Sequence, residues 1–128
     1  MSSTQAASRL RQHLAQDLRE HFDLGKALIA ARGPLVRGWL HVRYTSCRKG
    51  RCKCTRNEKH GPFLYASLHL GPKILQTYVG KPEDQALVRH LQNYKDFRNK
   101  LGRWRKLHAQ IETAWKRFEK SLLIVPRK

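Results

Sequence analysis

The sequence predicts an α+β protein in which an N-terminal helix and a long C-terminal helix flank a small three-stranded antiparallel sheet. Three observations predict this fold class. Apolar residues recur at helical spacing before residue 32 and again after residue 82. Between these stretches, over residues 35–80, apolar and polar residues alternate as they do in half-buried strands. The length of 128 residues fits a single domain over 1–128.

The N-terminal helix is predicted over residues 4–32. Its apolar residues recur at every fourth position and then continue on about the same face: Leu10, Leu14, Leu18, Phe22, Leu28 and Ile29. A stripe of this kind is typical of a helix that packs one face against a core. Gly33 and Pro34 then end the helix, because neither residue favours a further helical turn.

The middle of the chain is predicted to form the sheet. Alternation over residues 35–46 indicates a first strand, with a bulge at Gly38. Two further strands, over 62–70 and 73–80, are separated by Gly71-Pro72, a dipeptide typical of a hairpin turn. Tyr65 and Tyr78 lie in these strands. They either offer stacking surfaces for bases, together with His69, or fill the interface between the strands and a helix.

The last predicted element is a helix over residues 82–123. Pro82 suits a first helical position, and the two acidic residues after it suit the positive end of the helix dipole. A seam of largely apolar and aromatic residues follows: Leu87, Tyr94, Phe97, Leu101, Trp104, His108, Ile111, Trp115, Phe118 and Leu122. This seam predicts packing on the N-terminal helix. A coiled coil between copies of the chain, which would make a homo-oligomer, is the alternative.

Four side chains that commonly bind metal lie within 14 residues: Cys47, Cys52, Cys54 and His60. Three cysteines and one histidine are a ligand set of tetrahedral, structural zinc. If residues 52–54 are extended, their two thiols point to the same side, because side chains alternate along a strand. We therefore expect structural Zn²⁺ in this segment. Three free thiols beside an unrelated histidine, or a reactive thiol, are the alternatives.

The segment from Gly33 to Leu101 resembles an uncharacterised prokaryotic family of small proteins with a Cys-x4-Cys-x-Cys motif followed by His-Gly-Pro. The residues that carry the resemblance are Cys47, Cys52, Cys54, His60, Gly61, Pro62, Tyr65, Tyr78, Val79, Asn93, Tyr94 and Phe97. The chain departs from the family pattern at Arg48, Phe63 and Leu64. The family is often encoded near transposases, so the resemblance implies a mobile-element setting and supports the zinc site. It implies no biochemical activity.

The chain carries 27 lysines and arginines against nine acidic residues, a formal net charge of +18. This excess predicts a polyanionic partner, DNA or RNA. The predicted contacts lie around the cysteines and on the C-terminal helix: Arg43, Arg48, Lys49, Arg51, Lys53, Arg56, Lys59, Arg98, Arg105 and Lys106. A membrane partner is not expected. The aromatic residues of the last helix lie on its seam rather than on a basic amphipathic face, and no apolar run is long enough to span a bilayer.

The expected function is non-catalytic binding of nucleic acid. Acidic residues are scattered along the chain, whereas metal-dependent nucleases need clustered carboxylates, so we expect no enzymatic activity. With the resemblance, this indicates an accessory subunit of a mobile-element or defence nucleoprotein complex. Its expected location is the prokaryotic cytoplasm, in association with the nucleoid. The alternative is a protein–protein adaptor, including a phage-type inhibitor, that docks on an acidic surface.

Overall fold

The computed structural model describes residues 3–46 and 59–126. It contains five main elements: α1 (Ser3–Ile29), β1 (Gly38–Thr45), β2 (His60–Leu70), β3 (Lys73–Tyr78) and α2 (Gln85–Leu122), with a 3-10 turn at Pro82–Asp84 before α2. The predicted α+β fold is therefore confirmed. Cys47, Cys52 and Cys54, and the basic residues among them, lie outside the described residues.

The chain divides into two compact units. A helical unit combines Met1–Ala31 with Phe97–Lys128, so it contains α1 and the larger part of α2. A sheet unit spans Arg32–Asp96 and contains the three strands and the first turns of α2. Neither α1 nor α2 carries an apolar stretch of the length that a membrane crossing requires.

In the helical unit, α2 packs on α1, as the sequence predicts. The buried apolar residues of this unit are Ala7, Leu14, Leu107 and Ile111. The ring of His21 on α1 stacks on the ring of Trp104 on α2, with centroids 4.6 Å apart. Alongside, the guanidinium of Arg103 donates two hydrogen bonds to the Glu20 carboxylate, of 2.9 and 3.1 Å.

The buried face of α2 differs from the predicted seam at three positions. His108, Trp115 and Leu122 are exposed, and the preceding residues Leu107 and Ala114 turn inward instead. A spacing of three or four residues fits a helical face equally well, so the sequence allows position 107 or position 108 beside Trp104. Leu107 rather than His108 takes the buried position, because a leucine side chain can be buried without leaving ring nitrogens unpaired.

The predicted stripe on α1 is correct at Leu10, Leu14 and Leu28, which are buried or half-buried, and wrong at Leu18, Phe22 and Ile29. Leu18 is partly exposed, and Phe22 and Ile29 retain 65% and 83% of their exposure. A step of four residues advances about 400° around a helix with 3.6 residues per turn, so a strict four-residue repeat drifts by about 40° per step. By Phe22 the drift has carried the repeat away from the interface.

The sheet unit is built on strands in the order β1-β2-β3, with both pairs antiparallel. The predicted turn at residues 71–72 joins β2 and β3, and Gly71 has a φ of 63°, which favours glycine. One face of the sheet packs against the start of α2. Its core consists of Ala66, Val79 and Leu91, with Val36, Leu40, Leu64, Leu68, Leu87 and Val88 packed around them.

The predicted bulge at Gly38 is wrong. Gly38 pairs in register with Leu68, and the register shifts between Arg43 and Thr45 instead. Glycine at position 38 has another cause: a Cβ there would collide with the carbonyl oxygen of Ser67. The close approach of two strands therefore explains this glycine. The strand β2 also begins earlier than predicted, at His60, so that Gly61-Pro62 belongs to the strand.

Candidate nucleic-acid interface

The sheet presents an aromatic face on the side opposite its core. Because Leu64, Ala66 and Leu68 point into the core, the alternation of β2 places the residues between them on the other side. Register then adds their partners on β1 and β3. Ile74, the partner of His69, lies on the same side. We define the aromatic face as the aromatic and polar residues of this side: Trp39, His41, Arg43, Phe63, Tyr65, Ser67, His69, Gln76 and Tyr78.

Four rings of this face, on His41, Phe63, Tyr65 and Tyr78, contact one another in a continuous group. Tyr65 on β2 pairs in register with Tyr78 on β3, and their ring centroids are 5.7 Å apart at 66°. Phe63 lies edge-on to Tyr78 at 6.2 Å, and His41 on β1 stacks on Tyr65 at 6.2 Å. Aromatic neighbours in such arrangements fix the orientation of each other's rings.

Three rings of the aromatic face, those of Trp39, His69 and Tyr78, remain widely accessible. Trp39 is 47% exposed and Tyr78 is 45% exposed. Trp39 leans against His69, with centroids 5.3 Å apart. The predicted alternative, in which Tyr65 and Tyr78 fill the interface between strands and helix, is therefore wrong, since leucine, valine and alanine occupy that interface.

A cation lies across the aromatic face. The side chain of Arg43, which starts on β1, donates a hydrogen bond of 2.8 Å to Oε1 of Gln76 on β3. The guanidinium carbon of Arg43 also lies over the Tyr65 ring, 5.0 Å from its centre. This is the distance of a cation–π contact, so the positive charge of Arg43 is held above the rings.

A hydrogen bond from a buried serine supports the aromatic face. Ser67 is 1% exposed, and its hydroxyl lies 3.0 Å from Nε2 of His41. The hydrogen bond satisfies both groups, which matters because an unpaired buried polar atom is costly. It also holds the imidazole of His41 in place beside Tyr65.

The predicted contact residues fall in different parts of the structure. Arg43 and Lys59 belong to the sheet unit, and Arg98, Arg105 and Lys106 are exposed on α2 in the helical unit. Lys106 lines a groove between α1 and α2 together with Asp17 and Arg117. The other predicted contacts, Arg48, Lys49, Arg51, Lys53 and Arg56, lie outside the described residues.

Of the four predicted zinc ligands, only His60 is among the described residues. It is the first residue of β2 and pairs with Thr45 at the end of β1. Segment 47–58, which holds the three cysteines, connects these two strand ends. Within residues 3–46 and 59–126, no group of three or more metal-binding side chains comes together.

Little of the positive charge is neutralised by the protein itself. Residues 3–46 and 59–126 contain 20 lysines and arginines, and Arg103 with Glu20 forms the single ion pair among them. The hydrogen bond from Arg103, aided by its charge, lowers the pKa of Glu20, and the same contact raises the pKa of Arg103. The remaining cations of this part of the chain have no acidic partner.

These features define a small, strongly basic α+β protein with an exposed aromatic face on its sheet. The chain belongs to a family described as a domain of unknown function, DUF6788, whose profile matches residues 9–89. Its membership of an uncharacterised family is thereby confirmed. No curated protein and no solved structure matches the chain.

Sequence reasoning missed five members of the aromatic face: Trp39, His41, Phe63, Ser67 and Gln76. The signal that could have found the members on β2 and β3 is the turn at residues 71–72, whereas Trp39 and His41 lie on β1, which this turn does not align. Strand positions equidistant from a two-residue turn pair with each other, and alternate positions share a face. This rule pairs Tyr65 with Tyr78, and it places the rings at every second position of β2 on one face of the sheet.

Proposed function

We propose that this protein binds nucleic acid without acting as an enzyme. The observation that carries the proposal is the uncompensated charge: a net +18 over 128 residues, with a single ion pair in the described part of the chain. Self-repulsion of this size destabilises a compact protein, and phosphate groups relieve it. An aromatic face that carries Arg43 supports the same proposal, because nucleic acid offers both phosphates and base rings.

The dependence of binding on salt tests this function. The logarithm of the affinity for nucleic acid should fall linearly with the logarithm of salt concentration, with a slope of about −0.9 per neutralised phosphate on a duplex and −0.7 on a single strand. Binding without this dependence, to any nucleic acid offered, would contradict the proposal. Salt-dependent binding to an acidic protein alone would favour the adaptor alternative.

Two triple variants, matched in the charge that they remove, locate the phosphate contacts. One replaces Arg48, Lys49 and Arg51 with alanine, and the other replaces Arg98, Arg105 and Lys106. The triple variant whose residues meet phosphates should lose up to about 2.7 units of the duplex salt slope, and the other should keep the wild-type slope. Unchanged slopes in both variants would assign the phosphate contacts to other cations.

We also propose that Cys47, Cys52, Cys54 and His60 hold one structural zinc ion. The support is the donor set, three thiolates and one imidazole, and the position of His60 at the end of β2 where segment 47–58 joins the strand. Purified protein should contain about one zinc per chain, and Cys52→Ser should lose the metal and much of its stability, since metal binding is coupled to folding. Protein that stays folded without metal would contradict the site.

The setting that we propose is the prokaryotic cytoplasm, as an accessory subunit of a mobile-element or defence nucleoprotein complex. It rests on the sequence motif that resembles the transposase-associated family. Association of the protein with a nucleoprotein complex in its own cells, tested by affinity purification with and without nuclease, checks this proposal. Recovery of the same protein partners after nuclease treatment would identify direct protein contacts.

A further inference from the structure

We infer that the aromatic face of the sheet stacks unpaired bases, so that the ligand is single-stranded nucleic acid or an unpaired loop. This inference rests on the proposed function and adds the form of nucleic acid that is bound. Trp39 and Tyr78 are the stacking residues, because they combine a large π-surface with access from solvent. Arg43 supplies the positive charge on the same face.

The exposure of these rings is the first argument. A three-stranded sheet with a core on one face normally turns polar side chains to the other face. Here the second face carries a tryptophan, a phenylalanine and two tyrosines, which no solvated surface requires. Aromatic side chains on an exposed sheet are the residues on which base-binding proteins stack unpaired bases.

The second argument is that the rings are held in position before any ligand binds. Trp39 is supported by His69, and Tyr78 is supported by Tyr65 and Phe63. Arg43 is fixed by its hydrogen bond to Gln76 and by the ring of Tyr65. Because these side chains lose little freedom on binding, most of the stacking energy contributes to affinity.

Charge identifies the kind of partner. Residues 32–96 contain 13 lysines and arginines and four acidic residues, so the unit that carries the aromatic face is itself strongly positive. A partner must therefore bring both negative charge and planar rings. An unpaired nucleic-acid strand has both, whereas a duplex keeps its bases stacked inside and offers only their edges.

Binding measurements on ring variants test this inference. Fluorescence anisotropy would compare a labelled oligouridine, an oligodeoxythymidine of equal length and a hairpin duplex. Tyr78→Ala should weaken binding of the single strands by about 5- to 100-fold, while leaving the salt slope unchanged because no charge is removed. Tyr78→Phe keeps the ring and should bind nearly as the wild type. Comparison of the uridine and deoxythymidine strands shows whether RNA or single-stranded DNA is preferred.

Tyr44→Ala is the matched control. Tyr44 is an exposed tyrosine of the same sheet, located at the register shift of β1 and outside the aromatic face. Circular dichroism would verify that each variant is folded. If Tyr78→Ala does not fold, Trp39→Ala, compared with Tyr44→Ala in the same way, replaces it in the test.

The outcomes separate this inference from the proposed function. If the wild-type chain binds no nucleic acid, the proposed function itself fails. If it binds in a salt-dependent manner, but Tyr78→Ala and Tyr44→Ala bind single strands equally well, the stacking inference is wrong and the proposed function stands. If Tyr78→Ala instead changes the oligomeric state and leaves affinity unchanged, the aromatic face joins copies of the chain and the inference is also wrong.

Discussion

Replacing Leu107 with alanine tests how the helical unit is held together. Leu107 is 0% exposed and is the largest fully buried side chain in the described structure. It lies on α2, in a unit whose other buried apolar residues are Ala7, Leu14 and Ile111. With so few buried side chains in the unit, the loss of one leucine removes a large part of its core.

The expected cost follows from the carbon atoms that are lost. Alanine lacks three carbons of leucine, and each buried carbon contributes about 0.8 kcal/mol of transfer free energy. The cavity that remains adds to this term, and measured Leu→Ala costs at buried sites run from about 2.7 to 5 kcal/mol. We therefore expect Leu107→Ala to lower the free energy of unfolding by about 3 kcal/mol.

Urea denaturation followed by helical circular dichroism measures this change. A loss of about 3 kcal/mol corresponds to a fall of roughly 1–3 M in the urea midpoint, at a slope of about 1–3 kcal/mol per M. The control is His108→Ala, which removes an exposed ring at the next position that stacks on Trp104, and which should cost about 1 kcal/mol. A cost for Leu107→Ala that is no larger than that for His108→Ala would refute the assigned buried face of α2.

Three further predictions concern single side chains. His21→Phe should stabilise the protein by about 1 kcal/mol and so raise its melting temperature. Nε2 of His21 is buried without a partner in the described part of the chain, and phenylalanine keeps the stack on Trp104. A lower melting temperature would contradict this prediction. The contact with Arg103 lowers the pKa of Glu20. The stabilisation from this ion pair is therefore present above the ordinary glutamate pKa and is lost as pH falls through the lowered pKa. Glu20→Gln should remove this part of the pH dependence of the melting temperature, and an unchanged pH profile in the variant would contradict the prediction. Gly80→Ala should weaken binding of single strands without removing a ring, because a Cβ at position 80 collides with the Tyr78 side chain and would displace its ring. Fluorescence anisotropy would measure the loss of affinity. Wild-type affinity in this variant would contradict the prediction.

The sequence predicts the elements of this fold better than the faces that they bury. The turn at residues 71–72 and both helices are marked by local chemistry, namely glycine, proline and apolar spacing. The choice between Leu107 and His108 depends on what the facing helix offers, which no local pattern contains. Phe22 shows the same limit, since its spacing from Leu18 is helical and its position still faces solvent.

The candidate site shows a similar division. The positive charge and the two tyrosines are visible in the sequence. The contribution of Trp39 and His41 becomes visible only when β1 is paired with β2 in register, because these residues come from a distant part of the chain. The contact of Arg43 with Gln76 joins the two outer strands, β1 and β3, across β2, so no local sequence motif contains it.

The C-terminal end of α2 gives the protein an unusual colloidal character. Leu122, Leu123, Ile124 and Val125 form a run of exposed apolar side chains where α2 ends, in a chain with a net charge of +18. At low ionic strength, charge repulsion keeps such molecules apart over a screening length of about 10 Å, but at about 1 M salt this length falls to about 3 Å. Salt that releases bound polyanions from the protein therefore also screens the repulsion that keeps these apolar runs of different molecules apart. Purification in high salt should accordingly favour clustering of the molecules, and restored polyanion or lower salt should disperse them.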